Sequence, residues 1–279
     1  MIYAVSAEPD AAWIPSGAKR ISPPRLATRA LFRAAGADAG RRVQARLSLR
    51  RTWDRMVRLP DDATRVYASS LGARRVLAEA RRRGIEGILV EDLPDLRRLH
   101  KDLDQAARLH PECGLLRRFR APPGVLARQE IERVLASRRL TDRPGEGDAI
   151  QWPAPPSTSP RRGPRVLLSG LPVARNGTIE LLCAVEGLDL TVVARRGEIV
   201  EPAGARLTLV DPAGLADLDG IGLVVAPALV EGRHPALAQA ALAGIPTIAT
   251  AVAAGRVQVT REVPVSDAIA LREAICALT

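Results

Sequence analysis

LVVAPALVEGRHPALAQAALAGIPTIATAVAAG, residues 223–255, decides the fold of the second half of the chain. An apolar run stops at Pro227, and a short loop carries a lone carboxylate at Glu231. Pro235 opens an alanine-rich segment, Gly244 closes it, and a second apolar run follows at Ile245–Ala251. The pattern reads as strand, loop, helix, strand. Proline fits the first helical position, where its missing N–H costs nothing, and glycine fits the position just past the end. Apolar runs without polar alternation are buried on both faces, as in a parallel sheet. Ligands of such sheets collect beyond the C-terminal strand ends. The helix behind His234 is therefore expected to present free amides, from about Ala236 onward, at that edge. Such a terminus suits phosphate. Glu231 stands at its rim, where a carboxylate can accept hydrogen bonds from sugar hydroxyls. Gln239, four residues after Pro235, shares its helix face and can bond a ribose hydroxyl without adding negative charge. Spacing alone also fits a plain surface glutamate in a βα loop.

The same alternation extends outward. Strands are expected at Arg165–Leu171, Leu190–Arg195, Ala205–Asp211 and Ile221–Pro227. Helices are expected at Thr178–Glu186, Pro235–Ala243 and Ser266–Leu278, with a short helical turn at Leu215–Asp219. In the first half, Met1–Ser6, Arg65–Ser69 and Gly87–Glu91 read as strands. Pro24–Ala34, Arg41–Met56, Leu71–Arg83, Leu93–Leu109 and Pro123–Ala136 read as helices, with Gly84 as a stop behind three arginines. Residues 141–164 are dense in Pro, Gly and Ser and read as a connector, with a short strand at Ala149–Trp152. The expectation is α/β: two Rossmann-like doubly wound domains facing each other across a cleft. The boundaries are a strongly basic domain at 1–145, a linker at 146–164, a second domain at 165–265 and a C-terminal helix at 266–279.

Charge is unevenly spread. Residues 1–150 hold 30 Lys+Arg against 19 Asp+Glu, and the remainder holds 11 against 12, within a total of +10. The basic half suits an anionic partner such as an acidic membrane surface or a phosphorylated acceptor, or else arginine serves as a solvated helix residue. Aromatic residues are only 3% and do not interleave with the arginines, which disfavours a nucleic-acid stacking platform. Cys113, Cys183 and Cys276 follow no metal or disulfide spacing and read as ordinary thiols in a reducing compartment. No apolar window approaches a membrane span, and the first residues lack the pattern of a signal peptide. The expected location is cytoplasmic, peripheral at the inner face of a membrane.

The stretch around Glu231 resembles the donor-binding signature of GT-B glycosyltransferases, especially the retaining group called family 4. The matching positions are Glu231, Gly232, Gln239, Gly244 and Pro246; that family usually has a glutamate where Gln239 stands. The segment 169–185, SGLPVARNGTIELLCAV, is similar to the family's first donor-domain strand and loop, with Gly170 and Gly177 at the two glycines. The family usually carries an arginine just after the first glycine and a lysine just before the second. This chain has Leu171 and Asn176 there, with Arg175 one residue early. LTVVARRGE, 190–198, resembles the next strand and loop. More loosely, 65–94 and 125–140 resemble the middle of the family's acceptor domain, which implies a trimmed acceptor side.

The resemblance implies sugar transfer from a nucleotide diphosphate to a glycan or lipid-linked acceptor of the cell envelope or of an exopolysaccharide, with retention. Glu231 would contact the transferred sugar. The amides of residues 233–236, including Arg233, His234 and Ala236, would hold the diphosphate, and Gln239 would reach the ribose. Arg175, Arg195 and Arg233 are the cations available in place of the usual pair. No cofactor is expected beyond the nucleotide-sugar co-substrate. No metal is expected either: no Asp-x-Asp stands at a strand end, and His100 and His110 lie ten residues apart. His234 is expected to cap its helix or to donate to a phosphate. Glu91-Asp92 is expected to cap the next helix, with contact to an acceptor hydroxyl as the other use. Neither a nucleophile elbow nor a dinucleotide or Walker loop is present. Two further functions fit the same sequence: a GT-B-like binding or scaffolding protein without catalysis, and a basic nucleic-acid-associated α/β protein.

Overall fold

The computed structural model describes the chain apart from residues 8–13, 25–27, 29, 32, 35–38, 92, 112–120, 151–162, 197–206, 211–217 and 233. The chain divides into two compact units. One comprises Met1–Arg97 and Phe119–Pro153, the other Arg98–Arg118 and Ala154–Thr279.

The first unit is a five-stranded parallel sheet of β1 (Ile2–Val5), β2 (Lys19–Ile21), β3 (Arg65–Ser69), β4 (Glu86–Glu91) and β5 (Arg138–Thr141). Its spatial order, β2-β1-β3-β4-β5, is the flavodoxin-like order of a doubly wound sheet. Helices α1 (Ala39–Met56), α2 (Arg74–Arg82), α3 (Leu96–Leu109) and α4 (Pro123–Leu135) accompany it, with α3 from Arg98 onward belonging to the other unit. Helix α2 buries Val76, Leu77 and Ala80, and these pack on Val66, Ala68 and Leu89 of the sheet. Gly84 does end that helix, at φ 68°. Strand β2 was not expected, and β5, the strand that the family resemblance implies after the helix of 125–140, sits against the connector. Both are short edge strands that carry adjacent basic residues, so neither has the two-faced apolar pattern. Beyond β5 the chain remains on this unit. Asp148 bridges to Leu140, and Ile150 is buried with Ala4 and Val90. No strand forms at 149–150, and residues 151 and 152 lie outside the described residues.

Helix α2 begins three residues later than its sequence suggests. Leu71 takes a left-handed φ of 65°, and a distant carboxylate organises the turn. Glu132 of α4 accepts from the Leu71, Ala73 and Arg74 amides at 2.6, 3.0 and 3.1 Å. Asp54 of α1 accepts from Arg75 N at 2.9 Å, and Arg128 pairs with both carboxylates. The N-terminus of α2 is therefore filled by the protein's own carboxyl groups. Glu91, expected at a helix cap, instead lies buried among Arg133, Arg139 and Arg143. At α3 the Leu96 amide goes to Gln129, and Arg97 N to Asp95. Asp92 lies outside the described residues.

The second unit is a six-stranded parallel sheet: β6 (Arg165–Leu168), β7 (Thr191–Arg195), β8 (Thr208–Val210), β9 (Ile221–Ala226), β10 (Thr247–Thr250) and β11 (Arg261–Val263). The order β11-β10-β9-β6-β7-β8 is the Rossmann order. Alternate residues of one strand serve opposite faces. Val166 and Leu168 pack with Leu181 of α5 (Thr178–Val185) and with Leu271 and Ile275 of α8 (Ala268–Leu278). Leu167 and Val224 pack with Leu237 of α6 (Pro235–Leu242) and with Ala253 of the short α7 (Ala251–Ala254). This double burial explains the unbroken apolar runs. The edge strand β11 escaped the sequence reading because only one of its three residues is buried. Most of the expected turn at Leu215–Asp219 lies outside the described residues; Leu218, at φ 55°, begins the bend into β9. Among the described residues, no helix is long and apolar enough to cross a membrane.

Candidate functional site

Strands β6 and β9 are neighbours at the centre of the second sheet, and the chain leaves them in opposite directions. From β6 it runs through α5, on one face, to β7. From β9 it runs through α6, on the other face, to β10. This is the switch point at which open α/β sheets form a crevice. Backbone bonds lace the strand ends together. Ser169 N donates to Val225 O at 2.8 Å, and Leu229 N donates to Arg175 O at 2.9 Å. Thr250 Oγ1 donates to Ala228 O at 2.8 Å.

The loop after β6 holds five of the candidate residues or their neighbours in a tight turn. Gly170 has φ 111°, and a Cβ there would come 2.9 Å from Asn176 Nδ2. That amide nitrogen donates to Leu171 O at 2.7 Å, so Asn176 braces its own loop from the position where the resembled family keeps a lysine. Arg175 is exposed in the 3-10 turn Ala174–Asn176, and Gly177 ends the turn at φ 76° against Pro227. The structure brings Gly170, Asn176 and His234 into contact range, because Gly170's Cβ position lies 3.5 Å from His234 Nδ1. Arg195 is exposed at the end of β7, one residue past the Leu168–Ala194 pair.

In the loop after β9, Glu231 is half-buried, Gly232 is exposed and Arg233 lies outside the described residues. Ala236 and Gln239 are half-buried on α6. Within the first turn of α6, Leu237 N and Ala238 N both donate to His234 O, and Pro235 has no N–H. Ala236 N–H is thus the first-turn amide that the helix does not itself engage. Among the described residues, fewer amides are free at this helix start than the sequence suggests. No acidic residue stands in that turn.

His234 departs from both of its expected uses. It makes no side-chain cap on α6; its Nδ1 lies 2.9 Å from Ser169 O. A carbonyl only accepts, so Nδ1 carries the proton. Burial holds the imidazole below its ordinary pKa, against the Ser169 bond and with help from the charge of Arg175. In the neutral ring Nε2 carries a lone pair and cannot donate to a phosphate.

Sequence reasoning missed Ser169, Ala228 and Thr250 as the groups that fix these loops. The available signal was the position at or just past the end of an apolar strand: Ser169 acts there through its backbone N–H and carbonyl, and Thr250 through its hydroxyl. It also missed Glu180, buried in the first turn of α5, whose Oε1 lies 2.7 Å from His110 Nε2. His110 thus serves a carboxylate. Among the described residues no group of three or more His, Cys, Asp or Glu could hold a metal ion. Cys183 and Cys276 are free and exposed.

No protein-family model matches the chain, and no curated protein matches it. Solved structures do. The sucrose-phosphate synthase from Thermosynechococcus elongatus superposes with a TM-score of 0.57 at 15% identity, covering 99% of this chain and 78% of that one. The calicheamicin glycosyltransferase CalG4 gives 0.40 at 16% identity, covering 94% of this chain and 78% of that one. The glycosyltransferase SnogD from Streptomyces nogalater gives 0.35 at 16% identity, covering 94% and 81%. The chain has two parallel-sheet α/β domains of the GT-B kind.

Proposed function

We propose that the chain is a glycosyltransferase that moves a sugar from a nucleotide-diphosphate donor to an envelope or exopolysaccharide acceptor. Retention at the transferred carbon follows the family-4 resemblance. One observation carries the reading. At the switch point of a Rossmann-ordered sheet, the half-buried Glu231 and the uncapped N-terminus of α6 occupy one loop and helix start. In this reading the diphosphate rests against Ala236 N–H and the α6 dipole. Glu231 accepts from hydroxyls of the transferred sugar, and Gln239 serves the ribose. Arg175, Arg195 and Arg233 offset charge on the departing diphosphate. The basic first half takes a lipid-linked or glycan acceptor at the inner membrane face. The fold shared with a sucrose-phosphate synthase supports the reading.

The test is thermal unfolding with UDP-, GDP- and ADP-linked sugars, followed by product detection on lipid-linked acceptors. Stabilisation by one donor and transfer of its sugar are expected. No stabilisation by any of them would remove the reading. A specific observation favours a second one, donor binding without transfer: Asn176 is spent on Leu171 O where the family keeps a lysine. Stabilisation without product or donor hydrolysis would select it.

A further inference from the structure

We propose that His234 Nε2 is a hydrogen-bond acceptor for a hydroxyl group of the nucleotide-linked donor, so that His234 positions the sugar and does not grip phosphate. The inference deepens the donor-site reading and rests on it.

The argument begins with the tautomer. Ser169 O fixes the proton on Nδ1 at 2.9 Å, which leaves a lone pair on Nε2. His234 is 6% exposed, and its Nε2 is buried without a hydrogen-bond partner among the described residues. A buried acceptor left unpaired is uncommon in folded proteins and calls for a partner. Nε2 sits where a ligand is expected on other grounds, at the N-cap of α6 above the β6–β9 switch point.

The neighbourhood leaves room for that partner. Gly232, exposed and without a side chain, stands beside the ring. A methyl group built on it would meet Nε2 at 3.6 Å and no other atom within 4 Å among the described residues beyond its chain neighbours. The partner must donate, which excludes an ionised phosphate oxygen and admits a hydroxyl. Two hydroxyl sources exist on a nucleotide-sugar, the transferred sugar and the ribose, and the experiment separates them.

Calorimetric titration of the full chain compares UDP-glucose, GDP-mannose and ADP-glucose with UDP, GDP and ADP, for wild type, His234→Phe and Gly232→Ala. Gly232→Ala keeps the Ser169 bond and covers Nε2 with a methyl group, so the test survives if His234→Phe fails to fold. The expected result is a loss of about tenfold, the scale of one hydrogen bond, in affinity for the nucleotide-sugar that binds wild type. Loss confined to the sugar-bearing ligand assigns the hydroxyl to the transferred sugar. Equal loss for the matching nucleoside diphosphate assigns it to the ribose. A nitrogen-15 spectrum of the wild-type imidazole should show the Nδ1–H tautomer, with the Nε2 signal moving on ligand addition. Unchanged affinities in both variants, or an Nε2 signal indifferent to a bound ligand, would overturn the inference while leaving the donor site standing. If no nucleotide binds wild type, the donor-site reading fails and the inference falls with it.

Discussion

Gly177 packs against Pro227 so closely that a Cβ on it would meet the Pro227 carbonyl oxygen at 1.9 Å. The contact joins the loop after β6 to the end of β9, and Gly177 holds it at φ 76°. Gly177→Ala therefore faces both a backbone clash and a left-handed conformation. A loss of about 3 kcal/mol is expected, read from urea unfolding with a probe in the second unit. Any donor-induced stabilisation should weaken in parallel, because the two strand ends would separate. An alanine variant as stable as wild type would place the two loops apart.

Glu231 is half-buried in the loop and belongs to no helix or strand. Glu231→Ala should change stability by less than about 1 kcal/mol. On the proposed role of Glu231 at the transferred sugar, transfer should fall by at least about 100-fold. Steady-state turnover beside a melting curve separates the two effects. Unaltered turnover would take Glu231 out of the site.

Glu132 gives the first unit a pH signature. Burial pushes its carboxyl up to about 7, against the Ala73 and Leu71 amide bonds and the charge of Arg128, with Asp54 adding to the rise. The folded chain thus keeps a proton that the unfolded chain has released. As pH rises from the ordinary carboxylate range through about 7, the contribution of that bound proton is lost, and stability falls by about 3 kcal/mol. Glu132→Gln should flatten this slope between about pH 5 and about pH 8. Urea midpoints across that range provide the check.

Glu91 works in the opposite direction. Burial raises its carboxyl, but the bonds from Arg139 and Arg133 and the charges of Arg143 and Arg133 outweigh burial and hold it below the ordinary range. Its contribution is present above the unfolded value and is lost as pH falls through the folded one. Glu91→Gln leaves three guanidinium groups, those of Arg133, Arg139 and Arg143, without their shared carboxylate. A loss of about 3–5 kcal/mol is expected by denaturant titration.

Local chemistry made the two-faced strands legible. The runs at Val166–Leu168 and Leu223–Ala226 are apolar because both faces of the sheet bury them, and Pro235 and Gly244 mark the helix between β9 and β10. The edge strands β2 and β11 were not legible, because a strand paired on one side needs no apolar run. Nor was the start of α2: its cap, Glu132, lies 61 residues from Leu71. The candidate site divides the same way. The Glu231 loop could be placed from its neighbours in sequence. The bond from His234 to Ser169, 65 residues apart, exists only once the strands pair, and the bracing by Asn176, although local to its loop, carries no sequence pattern.

The central claim is that a nucleotide diphosphate binds at the start of α6. Backbone amide spectra of the isotopically labelled chain, titrated with UDP, GDP and ADP, test it residue by residue. The account predicts that one nucleotide moves the Ala236, Gly232 and Glu231 signals saturably, along with Gly170 across the switch point. Signals in that loop that stay fixed with all three nucleotides, or that yield to larger shifts elsewhere in the chain, would contradict it.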